Sequence, residues 1–62
     1  MADEDAYIAL PRQIECVDRE LMFRRRCYPR WVKDGKMTQA KADTEIACMD
    51  AVRKTLENVL ET

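Results

Sequence analysis

Apolar residues recur along the first half of the chain at Leu10, Ile14, Val17, Leu21, Tyr28 and Trp31, with gaps of 4, 3, 4, 7 and 3. That is the period of a helix and not the alternation of a strand. The stripe skips Arg24. Pro11 suits the first turn of a helix, where its missing N–H costs nothing. A first helix is therefore predicted to start at Leu10 or Pro11. Tyr28-Pro29 predicts its end or a kink, because the residue before a proline is pushed away from helical angles. Pro29–Asp34 is then expected to form a separate short turn, closed by Gly35 as a left-handed residue. Glu15–Arg19 and Glu20–Arg24 stand at the i,i+4 spacing that supports a helix.

A second stripe follows at Ala42, Ile46, Met49, Val52, Leu56, Val59 and Leu60. Thr38 is a good N-cap, and Met37 before it matches Ala42 at staple spacing. Lys41 occupies the place where a reciprocal capping box would need Glu or Gln. The second helix is predicted over Gln39 to about Leu60. The fold expected is all-α: an antiparallel two-helix hairpin with a short helical turn at Pro29–Gly35, residues 10–62 forming one domain behind an acidic arm, residues 1–9. Two helices alone cannot enclose a core, and small chains commonly answer this by association. The expectation is a homodimer that completes a four-helix bundle. Ile14, Val17, Leu21, Tyr28, Ile46, Met49, Val52, Leu56 and Val59 would supply its core and dimer positions, with Tyr28 and Trp31 capping one end. A monomer closed over Trp31 by the arm is the alternative.

Composition narrows the function. The chain has 62 residues, no histidine and one glycine. It thus lacks the commonest general base and metal ligand, and the several glycines of a phosphate-cradling loop. Cys16, Cys27 and Cys48 are spaced unlike zinc ligands; buried or half-buried thiols are expected, with Cys16 and Cys27 three turns apart on one helix face. No catalysis, cofactor or metal is expected. No apolar run approaches a membrane span, and the acidic start Met1-Ala2-Asp3-Glu4-Asp5 is unlike a secretory leader. A cytoplasmic location is the expectation.

Net charge is −1, but it is unevenly placed. Residues 1–18 sum to −4, residues 19–36 to +5 and residues 37–62 to −2. The carboxylate pairs Glu15/Asp18, Glu45/Asp50 and Glu57/Glu61 read as solvated helix faces rather than acid–base dyads. Cys27 lies beside Arg26, which would favour a thiolate, but no base stands ready to serve it. The basic middle segment is the main candidate site. Arg19, Arg26, Arg30 and Lys33 can form a stripe with Trp31 and Tyr28 interleaved. Phosphates and stacked bases would suit such a stripe, yet the isoelectric point of 5.3 is far below that of a dedicated nucleic-acid binder. Arginine and aromatic residues are equally the anchors of protein interfaces. The plainest alternative is that the aromatics are core and the arginines solvate a helix end. The arm, net negative, could also fold onto the basic segment as an intramolecular partner.

The run Arg24-Arg25-Arg26-Cys27-Tyr28-Pro29-Arg30-Trp31-Val32, then Gly35-Lys36-Met37-Thr38, then Ala42-Asp43, Glu45-Ile46, Met49 and Ala51-Val52, resembles a family of small proteins of tailed bacteriophages and proteobacterial prophages. The likeness covers roughly residues 20–60, and it implies no activity. A looser likeness, to short bacterial oligomerisation hairpins, supports the hairpin. Membership implies a non-catalytic accessory protein in the bacterial cytoplasm, acting as a protein-interaction module that inhibits or redirects a host protein. The expected partner-binding residues are Arg24, Arg25, Arg26, Arg30, Trp31 and Lys33, facing an acidic protein surface. A nucleic-acid-binding regulator using residues 24–36 is the second reading, and a purely structural homo-oligomer the third.

Overall fold

The computed structural model describes residues 7–62. Helix α1 spans Leu10–Lys33 and helix α2 spans Gln39–Glu61, with no strand among the described residues. Neither helix is long and apolar enough to cross a membrane. The expected acidic arm falls mostly on residues 1–6, outside the described residues, as does its closure over Trp31 or over the basic segment. Residues 7–9 precede α1 without helical structure. Ala9 takes the N-cap position in an extended conformation, and no side chain caps it. Its carbonyl accepts from the Arg12 and Gln13 amides, at 3.0 and 3.1 Å. Pro11 occupies the first turn, as expected.

Pro29 does not end α1. The helix continues through it to Lys33, so the separate turn expected at Pro29–Asp34 is absent. Proline removes one backbone donor, here the one that would reach the Arg25 carbonyl. Arg25 and Pro29 are both exposed, which leaves that carbonyl near water. Packing on either side outweighs the loss. Tyr28 is buried, and the Trp31 ring stacks on it with centroids 5.5 Å apart.

The connection is residues 34–38. The Gly35 amide donates to the Val32 carbonyl at 3.0 Å, and the Lys36 amide to the Trp31 carbonyl at 2.9 Å. This pair of bonds is a Schellman closure, which needs a left-handed residue at its centre. Gly35 supplies it with φ of 78°. Thr38 then caps α2: its Oγ1 accepts from the Lys41 amide at 3.1 Å. Ala42, the staple position, is buried and Met37 half-buried.

The helices run antiparallel. Arg24 meets Glu45 across the seam and Arg53 meets Asp18, a register that sets Ala42 opposite Tyr28 and Met49 opposite Leu21. Among the described residues only Leu21, Tyr28 and Ala42 are buried apolar groups. Ile14, Val17, Ile46, Met49 and Leu56 are half-buried. Val52 and Val59, expected with them, are exposed at 45% and 52%. The seam is instead flanked by two charged clusters, each built on an arginine.

Candidate interaction surface

Arg24 belongs to the seam and not to the exposed surface expected for it. Its side chain is 16% exposed. Nε donates to Glu20 Oε2 at 2.8 Å, and Nη1 donates to the backbone carbonyl of Glu45 at 2.7 Å. The guanidinium also lies 6.0 Å from the Tyr28 ring centroid. Arg53, on no stripe of apolar residues, plays the matching part: it donates to Asp18 and, at 2.9 Å, to Glu57. Both guanidinium pKa values are pushed upward. The hydrogen bond to Glu20 is the main cause at Arg24, and those to Asp18 and then Glu57 at Arg53. An upward shift adds stability that is fully present below the ordinary arginine range and is lost only above it. The two arginines therefore stay charged at every ordinary pH.

These pairings also revise the carboxylates. Asp18, Glu45 and Glu57 are half-buried and take part in the arginine clusters beside the seam, whereas Asp50 meets only Lys54 of its own helix and Glu15 and Glu61 are exposed. Asp18 and Glu57 share Arg53, while Glu45 lies 3.5 Å from Lys41 Nζ. Of the two intrahelical pairs expected in α1, Glu20–Arg24 forms; Glu15 instead pairs with Arg12 at 3.6 Å.

The rest of the basic segment remains outside. Arg25, Arg26, Arg30 and Lys33 are exposed, and no carboxylate among the described residues lies within ion-pair distance of them. Tyr28 is buried and does not interleave with them. Phe23 takes its place. It is 49% exposed, and its ring meets the edge of Trp31 with centroids 6.1 Å apart. Met22 beside it is 61% exposed. Two shallow hollows share Arg26 as a wall: one lined by Arg19, Met22 and Phe23, the other by Cys27, Arg30 and Trp31. At about 100° per residue, Arg19, Phe23 and Arg26 point some 140–160° away from Leu21, on the side of α1 turned from α2. Phe23, with Tyr28 and Trp31, is among the aromatic interface anchors that the sequence suggests, although the expected binding set leaves it out; Met22 is in neither. Their spacing to Arg19 and Arg26 is the signal that marks both.

A second apolar patch lies at the open end. Ile8, Gln13, Cys16, Val17, Val52 and Leu56 line one groove there. Val59 and Leu60 are also exposed near it. The cysteines are free; Cys16 and Cys48 are exposed, contrary to the buried thiols expected, and only Cys27 is half-buried. Cys16 Sγ accepts from Arg12 Nη1 at 3.0 Å and Arg19 Nη2 at 3.5 Å. Among the described residues no three Cys, Asp or Glu side chains gather as a metal site would require. The chain matches no protein-family model, no curated protein and no solved structure.

Proposed function

We propose that this chain is a non-catalytic protein-interaction module, a phage or prophage accessory protein that works in the bacterial cytoplasm by binding and inhibiting or redirecting a host protein. The observation that carries the reading is the exposed Phe23, with exposed Met22 on one side and the half-buried Trp31 ring against its edge on the other, bordered by Arg26 and Arg30 that have no acid partner of their own among the described residues. Aromatic and arginine side chains are the usual energetic anchors of interfaces, and unpaired arginines favour an acidic partner. The expected binding set is accordingly Arg25, Arg26, Arg30, Trp31 and Lys33 without Arg24, which the seam occupies. In this reading the chain pairs with itself through its open end.

The test is capture of partners by the tagged chain from nuclease-treated bacterial lysate, identified by mass spectrometry. One stoichiometric protein is expected, lost on Arg26→Glu with Arg30→Glu while circular dichroism stays unchanged. Retention of that protein by the folded double variant removes this face from the reading. A nucleic-acid regulator is the second reading, favoured by the half-exposed Trp31 among arginines. Recovery of nucleic acid alone, with an affinity that falls steeply with salt, would select it.

A further inference from the structure

Helix α1 carries two stripes on opposite sides. The inward one, through Leu21 and Tyr28, faces α2. The outward one has its own order: Arg12, Arg19, Arg26 and Lys33 recur every seven residues, and Cys16, Phe23 and Arg30 recur every seven between them. Together the seven follow the 4-3 alternation that defines the contact positions of paired helices. One contact position in each heptad is thus always basic, while the other presents Cys16, then Phe23, then Arg30. All seven are exposed. At about 100° per residue, each lies roughly 120° or more around the helix from Leu21.

We propose that the outer face of α1 is a docking seam for an acidic amphipathic helix of a partner protein, read in heptad register. The inference rests on the interaction-module reading and specifies the partner's chemistry. Basic positions about 10.5 Å apart, seven residues at 1.5 Å, match acidic positions at the same spacing on a second helix. Helices packed at about 20° keep such positions in step over several turns. Phe23, with Met22 beside it, makes the centre of the seam apolar. A partner that alternates carboxylates with aliphatic side chains covers that centre. A phosphate backbone supplies the negative charges but leaves Phe23 and Met22 uncovered, and so fits less well.

The experiment titrates the full chain with two synthetic helical peptides, each about four heptads long and of identical composition. In the first, Glu and Leu occupy the two contact positions of every heptad; in the second, the same Glu residues stand on the opposite face. At about 0.15 M salt, where long-range attraction is screened, the first is expected to bind at least roughly tenfold more tightly. Arg19→Glu with Arg26→Glu is expected to cost the first peptide about tenfold, and Phe23→Ala to weaken it as well. Lys36→Glu with Lys54→Glu makes the same charge change on exposed residues off the stripe and is expected to cost less than about threefold. Equal binding of the two peptides, equal losses in the two double variants, or tighter binding of a duplex DNA oligomer would each overturn the proposal. Lysate capture that persists while both peptides bind alike would overturn the heptad seam and leave the interaction reading standing.

Discussion

Arg24 and Arg53 place charge along a seam that a stripe of apolar residues would be expected to fill. Their side chains are 16% and 30% exposed, and each guanidinium reaches a carboxylate. Arg24→Met keeps the stem and removes the bonds to Glu20 and the Glu45 carbonyl. It is expected to cost about 1 kcal/mol in denaturant unfolding, whereas Arg25→Met, on an exposed side chain, should cost almost nothing. The roles of Gly35 and Thr38 are legible in the sequence, because a left-handed closure and an N-cap are set by residues within one turn. The cross-helix roles of Arg24 and Arg53 are not, because the Glu45 carbonyl and Asp18 lie 21 and 35 residues away in the chain. Thr38→Ala is expected to lose about 1 kcal/mol and Thr38→Ser to recover most of it. Gly35→Ala should cost about 1–2 kcal/mol through backbone strain alone, since a methyl group there meets no atom within 4 Å. Both losses are read from chemical melts monitored at the helix band.

At the scale of the element, α2 follows its apolar period and its cap closely: Gln39–Glu61 against an expected end at about Leu60. Helix α1 departs at Pro29, where a local rule yields to packing. The bond lost at Arg25 is a single one in the penultimate turn, and the Tyr28–Trp31 stack spans the gap. Pro29→Ala restores that bond and raises helix propensity, but frees the unfolded chain. The balance is expected to stabilise the hairpin by about 1 kcal/mol, seen as a higher midpoint with an unchanged denaturant slope. A lower midpoint would mean that Pro29 holds the Trp31 turn in place. The outward stripe of α1 escapes a search for apolar periodicity because most of its positions are arginines. It emerges only once Leu21 and Tyr28 show which side faces α2.

For the whole molecule, three buried apolar residues among those described are few for a stable fold. The hairpin alone leaves Ile8, Val52, Val59 and Leu60 at 45–52% exposure around the open end. If two copies join there, the melting temperature must rise with protein concentration. Val52→Glu with Val59→Glu is then expected to give a monomer in sedimentation velocity and to abolish that dependence. A wild-type chain that sediments as a monomer at high concentration would remove the four-helix bundle from consideration. All-helical architecture and the hairpin path are readable from the two stripes and a short connection. Which charged residues enter the seam, and which aromatic stays outside it, depends on the register between the helices.

The antiparallel path also sorts charge along the length of the hairpin. Residues 22–49, the half that contains the connection, hold seven bases and three acids, a net +4. The described residues of the other half, 7–21 and 50–62, hold four bases and six acids, a net −2. A chain with an isoelectric point of 5.3 therefore behaves as an electric dipole with a cationic pole at its turn. It should be retained by a cation-exchange resin at neutral pH, on the wrong side of its isoelectric point, and approach any polyanionic surface turn first.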